Sequence, residues 1–180
     1  MIAEAAWQEF SLRKVLFIPS GDTPNKDMHH IDKNIRYAMV EKAIEGNGHF
    51  MISPIERDRQ GPSYTVDTIR ILQREFGDDY EFYFICGTDA VADLPTWKYN
   101  RELLSACHFI CASRPGNENE IQKSIDSFGE LGRKMIHFLK TPELAISSTI
   151  LRDWIAEKRS VRYLIPDAVI DMIRSNKLYE

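Results

Sequence analysis

The sequence predicts an α/β fold built on a doubly wound, mostly parallel sheet, and three features point to it. Short apolar, β-branched runs alternate along the chain with stretches of helical period. Several of those runs are apolar nearly throughout, the pattern of parallel strands covered on both faces rather than one. No internal repeat, low-complexity tract or linker interrupts the alternation, so residues 1–180 read as one domain, of a length that supports a sizeable core.

The strands are expected at KVLFIP (14–19), HFMISP (49–54), EFYFICG (81–87), HFICAS (108–113) and KMIHFLK (134–140). Between them, Val66, Ile69, Leu72 and Phe76 share one face of a helix that Gly77 is placed to terminate. Ile121, Ile125, Phe128 and Leu131 form a comparable stripe on a second helix. Pro166 opens a last helix with Val169, Met172 and Ile173 turned inward. At the start, Ile2, Ala3, Ala6, Trp7 and Phe10 have helical spacing, yet no Ser, Thr, Asp or Asn precedes them as a cap. A nucleotide-binding unit of this architecture ordinarily opens with a strand and a glycine-rich turn before its first helix.

Composition narrows the function. The chain is 43% hydrophobic and 28% charged, the balance of a soluble globular protein. It has no apolar run near the roughly 18 residues that span a bilayer, and its first ten residues lack the basic and apolar regions of a signal peptide. A net charge of −4 argues against a nucleic-acid partner. The three cysteines, Cys86, Cys107 and Cys111, fit neither a disulfide framework nor metal-ligand spacing, and the location expected is the reducing cytoplasm. No G-x-S-x-G, H-E-x-x-H or P-loop pattern occurs. The five histidines show no ligand spacing, and the adjacent His29 and His30 read as solvent-exposed. No residue is assigned as a metal ligand.

Four segments carry the chemistry. In Ile146–Arg152, Ser147, Ser148 and Thr149 stand before a helix with Ile150, Leu151, Trp154 and Ile155 as its apolar stripe. Unpaired N–H groups, hydroxyls and Arg152 in one helical turn make a polyphosphate cradle; an ordinary Ser/Thr cap with a surface arginine is the plainer alternative. In Ile85–Asp89, Gly87 and Asp89 stand at the carboxyl end of a strand, where open α/β sheets bind ligands and an acid can hold ribose hydroxyls. Trp97, in the Pro95–Lys98 loop, can stack on a heteroaromatic ring or simply pack. Arg59–Thr68 enters a helix through hydroxyl-rich turns with capping as its default role, and Ile18–Lys26 offers one cation, Lys26, for a phosphate.

Taken together, IPSGDTPNK, Arg36-Tyr37-Ala38-Met39, GPSYTVDT, GTDAVADLPTWK, SRPG, ISSTILR and SVRYLIPDAV, in this order, resemble the bacterial nicotinate-nucleotide adenylyltransferases of the HxGH-type nucleotidyltransferase superfamily. The resemblance covers essentially the whole chain. It implies a Rossmann-like fold and transfer of the adenylyl group of ATP to nicotinate mononucleotide. It places Gly87 and Asp89 at the ATP ribose, and Ser148, Thr149 and Arg152 on the triphosphate. Thr65 and Lys98 would read the nicotinate carboxylate largely through backbone groups, Trp97 would stack on its ring, and Lys26 and Arg114 would hold the mononucleotide phosphate. Arg152 and Lys26 are the implied catalytic cations, and Mg²⁺ is expected on the triphosphate. Assembly into a homo-oligomer is compatible with this reading.

Two departures from the family pattern shape the expectations. Its opening G-G-x-F-D-P-x-H-x-G-H has no counterpart, and the chain begins at what reads as the next helix. The missing strand would lie between those at 14–19 and 81–87, so a gap is expected there. Asn25 also stands where the family usually has histidine before Lys26. Sister adenylyltransferases acting on nicotinamide mononucleotide or pantetheine phosphate are the alternative enzymes, and GPSYTVDT and PTWK argue against the latter. A truncated, non-catalytic nucleotide-binding protein is the alternative from outside enzymology.

Overall fold

The computed structural model describes residues 1–21, 31–112, 118–141 and 146–179. In chain order its elements are α1 (Ile2–Glu9), β1 (Val15–Phe17), α2 (Lys33–Ile44), β2 (Phe50–Ile52), α3 (Thr65–Phe76), β3 (Tyr83–Gly87) and α4 (Thr88–Asp93). A 3₁₀ turn (Leu94–Thr96) precedes α5 (Asn100–Ala106), β4 (His108–Ala112), α6 (Glu118–Ser127), α7 (Glu130–Met135), β5 (Ile136–Leu139), α8 (Ser148–Ala156) and α9 (Asp167–Ser175). Every strand expected from the sequence is present, each within two residues of its expected bounds. Among the described residues all strand pairings are parallel. The chain divides into two compact units, Met1–Arg13 with Tyr64–Glu143, and Lys14–Ser63 with Leu144–Glu180.

The first unit is built on a three-stranded sheet of order β3-β4-β5. Its central strand is apolar on both faces because both are covered: Phe109, Ile110 and Cys111 have no exposed surface. On one face Ile110 packs with Ala6 of α1 and Leu139 of β5, flanked by Phe10, Leu12 and Ile85. On the other, Phe109 lies against Phe84 with ring centroids 5.2 Å apart. Helix α3 buries Val66, Ile69 and Leu72 and ends at Gly77, whose φ of 79° is the left-handed value that glycine adopts without penalty.

One helix differs from expectation. The stripe Ile121–Leu131 is not one helix but two, α6 and α7, broken at Phe128–Gly129, with Gly129 at φ 62°. The apolar period runs through the break because Ile121, Ile125 and Phe128 all still reach the core. Gly132 explains the turn back: a Cβ there would lie 2.3 Å from the Ile125 carbonyl oxygen, so only glycine lets α7 fold this closely onto α6.

In the second unit β1 pairs with β2 in the register Val15↔Phe50, Leu16↔Met51 and Phe17↔Ile52. Asp32 caps α2 by accepting from the Asn34 and Ile35 amides at 2.8 and 3.4 Å, and these bonds, the Asn34 amide first, hold its carboxyl below the usual range. Helix α9 turns Ile170 and Ile173 inward, with Val169 and Met172 only half-buried. The stripe expected on α8 is shallower than its sequence suggests: Ile150 is exposed, and Leu151, Trp154 and Ile155 are half-buried. Strands β1 and β2 form one sheet, and β3, β4 and β5 form another.

Candidate active site

The carboxyl end of β3 runs directly into α4, with Gly87 as the residue before the first helical turn. Its φ is an ordinary −85°, and a Cβ built on it would meet nothing within 4 Å. Neither conformation nor packing therefore demands glycine at 87, and the position is open to solvent beside the exposed Asp89. Thr88 between them is buried. An empty approach beside a carboxylate at a strand's carboxyl end is the arrangement that admits a ribose.

The loop that follows is held rigidly. Thr96 Oγ1 donates to the Asp93 carbonyl at 2.7 Å, Asn100 Nδ2 to the Pro95 carbonyl at 2.6 Å, and the Trp97 amide to the Leu94 carbonyl at 3.0 Å. Trp97 is half-buried, with its indole edge-on to Phe84 at 6.0 Å and Phe109 at 6.5 Å. The packing role is taken up: part of the ring anchors against Phe84 and Phe109, and part stays accessible. Thr65 is the first residue of α3, and no side chain caps that helix start. The Asp67 and Thr68 amides instead donate to the Tyr64 carbonyl at 3.0 and 3.2 Å.

In the second unit Ser147 caps α8, its Oγ accepting from the Ile150 amide at 3.2 Å. The plain capping role is therefore real for Ser147. Ser148, Thr149 and Arg152 are left exposed in the same turn, with Arg152 Nη2 donating to Thr149 Oγ1 at 3.3 Å and no carboxylate partner among the described residues. A hydroxyl, a fork-shaped cation and helix amides on one turn match a phosphate group. Lys26, Asn25, His29, His30 and Arg114 lie outside the described residues.

Sequence reasoning missed the role of Arg36. Its Nη2 donates to the Gly21 carbonyl at 2.8 Å, Nη1 to Ser20 Oγ at 3.2 Å, and Nε to the Ile31 carbonyl at 3.3 Å. One guanidinium thereby ties together the two ends of the 22–30 segment, which carries Lys26. Gly21 is itself obligatory, because a Cβ there would stand 2.2 Å from the Glu56 carbonyl oxygen. The only hint in the sequence was an arginine at the start of a helix soon after a turn-rich loop.

Burial raises the Cys86 and Cys107 thiols to about 12 and Cys111 to about 11, so none is a thiolate nucleophile near neutral pH. Among the described residues no group of three His, Cys, Asp or Glu is placed to hold a metal ion. His108 and His137, 29 apart in sequence, meet through the parallel register, Nδ1 to Nε2 at 2.9 Å, with Tyr83 stacked on His108 at 4.8 Å and Phe10 tilted against His137. Burial first, and the neighbouring His108 second, lower the His137 pKa. The pair packs beneath α1 rather than lining the strand end that carries Gly87.

Comparison with known proteins agrees with this geometry. The family model described as Cytidylyltransferase-like matches residues 1–153. A probable nicotinate-nucleotide adenylyltransferase of Moorella thermoacetica is 44% identical over 98% of this chain and 82% of its own length. A protein of the same name from Thermoanaerobacter sp. strain X514 is 41% identical over 99% of the chain and 85% of its own length. Among solved structures, the Plasmodium falciparum nicotinic acid mononucleotide adenylyltransferase complexed with NaAD shares the fold at a TM-score of 0.75 and 19% identity, covering 99% of this chain and 90% of its own. The strand-end glycine, the uncapped start of α3 and the hydroxyl-rich turn of α8 are thus set in a chain that belongs to the cytidylyltransferase-like family and, within it, to the nicotinate-nucleotide adenylyltransferases.

Proposed function

We infer that this chain transfers the adenylyl group of ATP to nicotinate mononucleotide in NAD biosynthesis. The mononucleotide phosphate oxygen forms a bond to the α-phosphorus of ATP, the bond from that phosphorus to the β-phosphate oxygen breaks, and deamido-NAD and pyrophosphate leave. The observation that carries the reading is identity of 44% across nearly the full chain to a protein named for this activity. The open, unforced glycine at the end of β3 supports a nucleotide site there.

In this reading the protein works by positioning and charge, with no covalent intermediate. Gly87 and Asp89 face the ribose of ATP. Ser148, Thr149 and Arg152 hold the triphosphate and then the departing pyrophosphate. Lys26 and Arg114 hold the attacking phosphate, Trp97 stacks on the pyridine ring, and the Thr65 and Lys98 backbones receive its carboxylate. Magnesium enters with the nucleotide as part of the Mg–ATP substrate, neutralising charge on the triphosphate. Both units act as one nucleotidyltransferase domain, a view supported by a family match that runs through residues of each. The setting is the cytoplasm, with small-molecule substrates and neither nucleic acid nor membrane as partner; no helix among the described residues is long and apolar enough to cross a membrane.

Titration calorimetry of the chain with nicotinate mononucleotide, nicotinamide mononucleotide and Mg–ATP tests the reading without requiring turnover. Tighter binding of the nicotinate form than of the amide, alongside ATP binding, is expected. Binding of neither pyridine nucleotide would remove the assignment.

A further inference from the structure

Lys98 is a cation without a carboxylate partner among the described residues. Its Nζ lies 4.6 Å from the centre of the Tyr64 ring and 5.3 Å from that of Tyr99, both rings well exposed. Tyr64 immediately precedes Thr65 at the start of α3, and Lys98 immediately follows Trp97. The side chain of Lys98 therefore bridges two segments that are 33 residues apart and carry the backbone groups assigned above to the carboxylate. Behind it the same two regions are tied a second time. Arg70 of α3 bonds Asp67 on its own helix at 2.8 Å and Glu102 of α5 at 2.8 Å, with its guanidinium 5.6 Å from the Tyr99 ring. Tyr99 holds φ 58° and ψ 33°, a left-handed conformation uncommon for a residue with a Cβ, and this turns its ring back toward both cations.

We propose that the Lys98 ammonium, seated on the Tyr64 ring, is a strut that holds the Trp97–Lys98 backbone against the start of α3 and thereby sets the preference for an acidic pyridine mononucleotide over its amide. Lys98 is here a positioning residue, and this rests on the functional reading above. A cation–π contact fixes direction as well as distance, because the ammonium must sit over the ring face.

The test is calorimetry of the 180-residue chain with nicotinate and nicotinamide mononucleotides, comparing the parent with Lys98→Met, Lys98→Arg, Tyr64→Leu, Tyr64→Phe and the double variant Lys98→Met/Tyr64→Leu. Lys98→Met and Tyr64→Leu should each lower the acid-to-amide affinity ratio about two- to fivefold, the range of an exposed cation–π contact. The double variant should lose no more than the larger single loss, and Lys98→Arg and Tyr64→Phe, which keep a cation and a ring face, should stay near the parent. An unchanged ratio in Lys98→Met overturns the strut. So does a fall in Lys98→Met with none in Tyr64→Leu, or single losses that multiply in the double variant. If the parent binds neither mononucleotide, the functional reading fails on its own, and the strut is then judged by thermal unfolding of the same variants. Non-additive melting shifts sustain it, and additive ones refute it.

Discussion

Replacing Arg36 with methionine keeps most of the side-chain volume and removes the three donors that close the 22–30 segment at its base. The losses are unequal. The Gly21 carbonyl, accepting at 2.8 Å, belongs to a buried residue wedged against Glu56, so water cannot readily replace the donor. An orphaned buried acceptor costs about 1–3 kcal/mol. Ser20 Oγ and the Ile31 carbonyl accept at 3.2 and 3.3 Å from residues that are only half-buried, and solvent recovers most of those two bonds. The expected total is about 2 kcal/mol, which for a chain of this size lowers Tm by about 4–8 °C. Arg36→Lys should recover part of this, since one ammonium can reach the Gly21 carbonyl but cannot span all three acceptors. Urea titration gives the stability change. Because the segment carries Lys26, calorimetry should also show weaker nicotinate mononucleotide binding with ATP binding unaffected. A stability loss under about 0.5 kcal/mol in Arg36→Met, the level of an ordinary surface change, would refute this account of Arg36.

Two glycines should behave oppositely. Gly21→Ala drives a Cβ to 2.2 Å from the Glu56 carbonyl and should cost about 1–3 kcal/mol in thermal unfolding, whereas Gly87→Ala meets no atom and should leave stability unchanged while weakening ATP. Trp97→Ala should weaken nicotinate mononucleotide by about 1–3 kcal/mol and ATP far less in calorimetry, with some loss of stability because the indole edge packs on Phe84 and Phe109; equal losses for both ligands would make it packing alone. Arg152→Ala should lower turnover about 10²–10³-fold, with Arg152→Lys less impaired, and should barely move Tm, since the side chain is exposed; unfolding instead would make it structural. The lowered pKa of His137 means that the unfolded chain takes up a proton the folded chain resists, so this group's contribution is intact above pH 6.5 and is lost as pH falls from there through the folded value. Urea midpoints at pH 7.5 and 5.5 should therefore converge in His137→Gln relative to the parent, and an unchanged difference would contradict the assignment.

The strands were legible because parallel strands buried on both faces leave continuous apolar runs, and β4 is the clearest case. The break between α6 and α7 was not, since Phe128 keeps the helical period while Gly129 leaves the helix, and periodicity alone cannot register a change of φ. At the site, Gly87, Trp97 and the Ser147–Arg152 turn were legible from their place beside a strand end or a helix start. Arg36 was not, because its meaning depends on acceptors at Ser20, Gly21 and Ile31 that only the fold brings to it. The His108–His137 pair needed the strand register, and the Lys98–Tyr64 contact needed the fold to bring the two segments together. A left-handed Tyr99 leaves no mark in composition or spacing.

The central claim is that the AMP part of ATP, and not its terminal phosphate, is transferred to nicotinate mononucleotide. Incubating the chain with magnesium, nicotinate mononucleotide and ATP labelled separately at the α- or γ-phosphate, then resolving the products, tests it most directly. The account predicts that the α-label appears in deamido-NAD and the γ-label in pyrophosphate, in equal amounts. A γ-label on the mononucleotide, or label released only as inorganic phosphate, would contradict it.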